Sequence, residues 1–173
     1  MLPVLSQIFE RLIKVRLVHF LDEHKVINPG QYGFRAGHST AMAILDMVEK
    51  VRAAWAEGDA ALGVFIDLKK AFETIPFDHL LTKLEFYGVN GTALNWFKSY
   101  LYGRQQCVEI NKVRSKNRTV KMGVPQGSIL GPLLFLLYIN DLPNCLSKST
   151  PILFADDTTV VKTGTNLLTY LGI

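Results

Sequence analysis

The sequence predicts an α+β fold in which a small antiparallel sheet is backed by helices, and three observations carry that expectation. Residues 5–24 and the helix after Ser39 or Thr40 repeat apolar residues at helical spacing, and two further helices are read, one after Pro76 to Tyr87 and one from Thr92 to Tyr102. The run LGVFIDL, Leu62 to Leu68, has the length and the β-branched, aromatic content of a strand. ILFA (Ile152–Ala155) and TTVV (Thr158–Val161) are two more such runs, separated by the two residues Asp156-Asp157, which is hairpin spacing.

The 173 residues suffice for one unit with its own core, since a chain of this size buries about 70% of its unfolded surface. Hydrophobic residues at 49% and charged residues at 20% match globular domains and exclude disorder, collagen-like and low-complexity sequence. Cys107 and Cys145 make no disulfide scaffold and have no zinc-site spacing. They read as reduced, buried thiols of an intracellular protein. No apolar run, the longest being Pro132–Ile139, approaches the ~20 residues that cross a bilayer. Met1–Phe20 interleaves Glu10, Arg11, Lys14 and Arg16 with apolar residues, unlike a secretory signal, so no membrane partner is expected.

In chain order, Leu5, Ile8, Phe9, Leu12, Ile13, Leu17, Phe20 and Leu21 form the stripe of a first helix, ended by Asn28-Pro29-Gly30. A loop over Gln31–His38 follows. Ser39 or Thr40 caps a second helix with the apolar face Ile44, Leu45, Val48, Val51 and Trp55, stopped by Gly58-Asp59. After the strand at Leu62–Leu68, two helices are separated by Gly88 and Gly91. Gln106–Ile110 and Thr119–Met122 read as a hairpin with a basic tip. Net charge is +4, and Lys112, Arg114, Lys116, Arg118 and Lys121 suit a phosphate backbone or, equally, a solvated turn. Pro125-Gln126-Gly127 is a turn, and Ser128–Asn140 reads as a buried helix with Pro132 in its first turns. No internal repeat and no linker divides the chain.

The carboxylates carry the chemistry. Asp67 sits in an otherwise apolar strand, where Asp is depleted and costly to bury unpaired. Taken alone, Asp67 reads as a strand-end cap, and Asp156-Asp157 as a solvated turn. If the strand and hairpin share one sheet, their ends bring the three together. Two carboxylates about 4 Å apart repel by roughly 4 kcal/mol at an effective dielectric of 20. Such a cluster persists only by binding protons or cations, and magnesium is the hard cation that pairs carboxylates with substrate phosphates. Two such ions about 3.5–4 Å apart would serve nucleotidyl transfer.

QYGFRAGHST (Gln31–Thr40), VFIDLKKAFETI (Val64–Ile75), GVPQGSILGPLLFLLYINDLP (Gly123–Pro143) and FADD (Phe154–Asp157) resemble, in order and spacing, consecutive motifs of reverse transcriptases. The resemblance covers essentially the whole chain and is nearest to non-long-terminal-repeat retrotransposons, the jockey-like and related LINE elements. It implies a right-hand polymerase: fingers at 1–58, the palm strand with the first catalytic Asp at 59–75, mainly fingers at 76–124, and palm with the FADD hairpin at 125–173. It implies catalytic and metal-ligating roles for Asp67, Asp156 and Asp157, with the backbone carbonyl of Leu68 as a further metal ligand. Two magnesium ions, replaceable by manganese, are the implied cofactors. Phe72 falls at the family's steric-gate position, Gln126 at the residue lining the incoming nucleotide, and Arg35 at the fingers arginine that approaches the triphosphate. Without the motifs these read as a core phenylalanine, a turn glutamine and a surface ion-pairing arginine.

The implied activity is RNA-directed DNA synthesis, with an RNA template, a DNA primer and deoxynucleoside triphosphates as partners, in an intracellular ribonucleoprotein of nucleus or cytoplasm. Glu73 stands where the family commonly has Asp, and Ala36 and His38 depart from its FRPGRS. None of these changes touches the acidic triad. The family's YRPISLL motif is reduced to Leu2–Ser6 and the chain ends soon after FADD, so a fingers–palm fragment without thumb or endonuclease, extending primers poorly or not at all, is expected. The rival readings are a non-catalytic retroelement remnant that retains nucleic-acid binding, and a maturase-like RNA-binding protein. The intact triad favours the polymerase.

Overall fold

A helix (α1, Val4–Glu23) and a second (α2, Thr40–Ala56) precede the first strand (β1, Ala60–Ile66). Two more helices (α3, Phe77–Phe86; α4, Gly91–Leu101) lead to four two-residue strands (β2, Gln105–Gln106; β3, Glu109–Ile110; β4, Val113–Arg114; β5, Arg118–Thr119). A last helix (α5, Gly131–Ile139) and a short 3₁₀ turn (Leu142–Cys145) come before the closing hairpin (β6, Thr150–Phe154; β7, Asp157–Gly164). The computed structural model describes residues 4–125, 127–146 and 149–165. The chain divides into two compact units, residues 1–18 with 70–138, and residues 19–69 with 139–173.

The first unit is held by burial. The segment GPLLFLLYI of α5 is apolar on every side, the pattern of a helix with no wet face. In the same unit Ile75, Leu80, Leu84, Leu101 and Leu130, with Leu134 and Leu137 of α5 itself, have no exposure at all. The start of α5 is capped twice: Ser128 Oγ accepts from the Gly131 N–H at 2.9 Å, and Glu10 Oε2 accepts from Ile129 N–H at 2.7 Å. Those amides are among the donors that a helix start leaves unsatisfied, and a carboxylate there also meets the positive end of the helix dipole. This explains why Glu10, only 2% exposed, is tolerated. The expected single basic hairpin is two short ladders, β2 with β5 and β3 with β4. Between them Ser115 replaces a ladder rung, its N–H donating to Val108 O and its Oγ accepting from Val108 N–H. The tip is Asn111-Lys112, both left-handed (φ +50° and +66°), which is the requirement of a two-residue primed turn.

In the second unit the sheet order is β1-β7-β6, antiparallel throughout, with β7 central. The helix α2 starts at Ser39, whose side chain accepts from the Met42 N–H. Ala43 packs with Ile152 and Val161, bordered by Tyr32 and Met47. The predicted apolar face of α2 is therefore corrected: Ile44, Leu45, Val48 and Trp55 are exposed, and it is Ala43 and Ala54 that are buried. Small side chains let the helix approach closely, and the large ones are left outside. The strand expected at Leu62–Leu68 occupies Ala60–Ile66 instead, drawn two residues back by the full length of β7. Cys107 and Cys145, expected to be buried, are free and exposed. No helix of the described residues is long and apolar enough to cross a membrane.

Candidate functional site

The antiparallel register pairs Ala60 with Gly164 and runs without a break to Ile66 opposite Thr158. The ladder ends at that pair, so Asp67 and Asp157 are each the next residue beyond it. In such a ladder, facing Cα atoms lie about 4.5–5.5 Å apart. Asp67 thus follows the end of β1 rather than sitting inside the strand, where its carboxylate is exposed. Phe154 pairs with Asp157, so the two-residue hairpin loop is Ala155-Asp156, one residue earlier than the spacing suggested. Asp157 is the first residue of β7 and exposed, while Thr158 after it is buried. Adjacent strand residues point to opposite faces, and that alternation keeps Asp157 on the open side. Asp156 is half-buried in the turn. Among the described residues, no three His, Cys, Asp or Glu side chains stand close enough to hold a metal ion between them.

The turn is fastened from the loop before α2. Tyr32 N–H donates to Leu153 O at 2.7 Å and Leu153 N–H to Gly30 O at 2.8 Å, which makes a parallel bridge of Gln31 with Leu153. The Gln31 side chain crosses to the turn, where its Oε1 accepts from Gly33 N–H at 2.8 Å and from Ala155 N–H at 3.0 Å. A Cβ on Gly33 would lie 2.2 Å from Ala155 N, so only glycine permits this approach. The loop's other end is tied by Asn140, which accepts from Asn28 N–H at 2.7 Å and donates to Val26 O at 2.8 Å. Sequence reasoning missed both amides. Gln31 and Asn140 lay within quoted motifs, yet nothing local distinguishes a bracing amide from a loop or helix-end polar residue.

Arg35, expected to face a triphosphate, donates through Nη1 to the carbonyls of Asn28 and Gln31 at 3.2 and 3.0 Å. Leu68 follows Asp67 and is half-buried. Phe72 belongs to the other compact unit and stacks on Phe135, ring centroids 4.5 Å apart and 27° between planes. Its carbonyl accepts from Val124 N–H at 2.9 Å, tying it to the start of the Val-Pro-Gln-Gly segment. At Gly123, φ is +86° and a Cβ would meet Glu73 O at 2.6 Å, so this crossing also requires glycine. Gln126 lies outside the described residues.

Residues 1–169 match the family described as "Reverse transcriptase (RNA-dependent DNA polymerase)". The chain is 36% identical over 164 residues to the probable RNA-directed DNA polymerase from transposon X-element of Drosophila melanogaster, covering 92% of this chain and 18% of that protein. It is 32% identical over 179 residues to the RNA-directed DNA polymerase from mobile element jockey of the same species, covering 97% of this chain and 19% of that protein. The chain therefore spans less than a fifth of these relatives. Among solved structures, telomerase from Candida albicans in complex with a fragment of telomeric RNA matches with a TM-score of 0.67 at 14% identity, over 98% of this chain and 32% of that one. Apo telomerase from Candida tropicalis, truncated from its C-terminal domain, gives 0.62 at 11% identity over 94% and 35%. At such identities the structural likeness speaks to the fold, which agrees with the fingers–palm class.

Proposed function

The chain belongs to the reverse transcriptase family, and on that premise we propose that it carries the nucleotide-adding centre of a non-long-terminal-repeat retrotransposon polymerase. The reaction joins the 3′-hydroxyl of a DNA primer, paired to an RNA template, to the α-phosphate of a deoxynucleoside triphosphate, releasing pyrophosphate. The observation that supports this reading is the β1–β7 register, which ends at Ile66 opposite Thr158 and so leaves Asp67 and Asp157 as the next residue on either side, with Asp156 in the adjoining turn. A ladder fixes that spacing more stiffly than two loops would, and preorganised positions supply much of a catalyst's advantage.

The donors fit magnesium, or manganese in its place: carboxylate oxygens of Asp67, Asp156 and Asp157 and the Leu68 carbonyl, all hard, with no thiolate or imidazole among them. Magnesium characteristically takes one or two carboxylates and completes its shell with substrate phosphates and water, which suits an open, exposed edge. A pair of such ions would acidify the primer hydroxyl and offset charge on the departing pyrophosphate. Asp67 and Asp157 bind and orient from facing strands. Phe72, its ring set by Phe135, bars a ribose 2′-hydroxyl. Arg35 brings a guanidinium with more donors than the two carbonyls that brace it, and Gln126 lines the nucleotide.

The test is incorporation of labelled dTMP on oligo(dT) annealed to poly(rA), with magnesium. Asp157→Asn should cut the rate by about a hundredfold or more, equivalent to ~2.7 kcal/mol at 1.36 kcal/mol per decade. An undiminished rate in the variant, or no incorporation even by a full-length polymerase that carries this chain, overturns the reading.

A further inference from the structure

Gln31 is 2% exposed, a buried amide in a unit where most polar side chains reach solvent. Two backbone N–H groups, of Gly33 and Ala155, converge on one atom of its side chain at 2.8 and 3.0 Å. Convergent donors identify that atom as the oxygen, because the flipped amide would set its own NH₂ against them. The amide nitrogen, Nε2, is buried with no hydrogen-bond partner among the described residues. A buried donor left unpaired destabilises the fold, and each such group calls for an explanation in its surroundings.

The residue it grips is itself under strain. Ala155 has φ +57°, a left-handed conformation that a residue with a Cβ seldom adopts. It is buried and immediately precedes Asp156 and Asp157. Gly33, two residues past Gln31, lies against the same backbone so closely that no side chain fits. A strained turn residue, a bifurcated acceptor on its amide and a glycine pressed against it together define the backbone from which both carboxylates project.

We propose that Gln31 is a positioning residue for the Asp156-Asp157 turn: its side-chain oxygen ties Ala155 to Gly33 and so fixes the direction in which the two carboxylates leave the sheet. The proposal rests on the polymerase reading for its consequence in catalysis, but its structural content stands apart from it. Gln31 touches neither primer nor nucleotide and acts through Ala155.

Amide hydrogen exchange separates the two. In Gln31→Met, of equal length but without an acceptor, exchange at Ala155 should accelerate tenfold or more relative to Leu134, whose amide donates to Leu130 O at the start of α5 and serves as the reference. Gln31→Glu, which keeps an acceptor, should restore slow exchange. Gly33→Ala leaves Gln31 intact, presses on Ala155, and should produce the same local acceleration, so the proposal remains testable if Gln31→Met does not fold. In primer extension, Gln31→Met should lower kcat while the KM for template–primer holds, with Gln31→Glu recovering most of kcat. Ala155 exchange that rises no more than Leu134 exchange in both Gln31→Met and Gly33→Ala overturns the proposal. So does a loss in Gln31→Met expressed wholly in KM. Local acceleration in a chain that extends no primer even when carried in a full-length polymerase would uphold the clamp and overturn the polymerase reading instead.

Discussion

In residues 70–138, α5 is apolar all round and seven aliphatic side chains are wholly removed from water. In residues 19–69 and 139–165, β1 leaves Val64, Phe65 and Ile66 exposed, the turn that bears Asp156 is fastened by the Gln31 amide, and the loop that carries Gln31 is tied by Asn140. Burial is non-directional and tolerates repacking. Hydrogen bonds weaken steeply outside a narrow range of distance and angle. Under the proposed function the carboxylates meet a cation and a phosphate and need the second kind of support, which Gln31 gives to Ala155 from a segment far away along the chain.

That contrast can be broken from either side. Leu134→Ala in the buried unit should cost about 2.7–5 kcal/mol, the range for a fully enclosed leucine, whereas Phe65→Ala on the exposed face of β1 should stay within about 0.5 kcal/mol. Urea titration of each variant measures both. A smaller but still large effect is expected in alkali. Burial, with the Glu10 carboxylate beside it, pushes the Tyr100 hydroxyl up to about 12 from 10.0. The folded state therefore holds this proton more tightly than the unfolded chain. The stabilisation is complete below pH 10, falls as pH rises towards 12, and, discounted for solvent screening at this partly exposed hydroxyl, amounts to ~1–2 kcal/mol. Tyr100→Phe should flatten the stability curve over that window.

Asn140→Leu removes the acceptor from Asn28 N–H and the donor to Val26 O, and should cost about 1–3 kcal/mol. Thermal melting measures that cost, and exchange at Asn28 should rise more than exchange at Leu134. The smallest change is expected at the basic hairpin, where the Arg114–Glu109 pair is exposed at 3.0 Å. Glu109→Gln should shift stability by less than ~1 kcal/mol.

The helices were legible because a 3.6-residue period shows in Leu17, Leu21, Leu80, Leu84, Phe97 and Leu101 without reference to any partner. The closing hairpin was legible for the same local reason, but its phase slipped by a residue: Ala155, a poor candidate for positive φ, takes the turn position that Asp157 seemed suited to. Strand β1 began earlier than its composition implied because Ala60 and Ala61 are recruited by pairing with Gly164 and Thr163 rather than by propensity. The inward face of α2 was hidden by a similar effect, since close packing selected alanine over the larger residues. At the candidate site, the carboxylates were visible as types that do not belong among apolar residues. Gln31 and Asn140 were not, because their role lies in bonds to Ala155 and Asn28 that are distant in sequence, and a polar residue beside a glycine-rich loop looks ordinary from within it.

The account turns on the register that leaves Asp67 and Asp157 as the next residues beyond Ile66 and Thr158. A disulfide trap reads it directly. With Cys107→Ser and Cys145→Ser removing the exposed native thiols, Asp67→Cys/Asp157→Cys should cross-link under mild oxidation, because facing Cα atoms about 4.5–5.5 Å apart suit the bond. Asp67→Cys/Thr159→Cys should not, since Thr159 pairs with Phe65 and a diagonal neighbour at about 7–8 Å is out of reach. Efficient bridging of the first pair alone is the predicted result. Equal bridging of both, or bridging of neither, would contradict it.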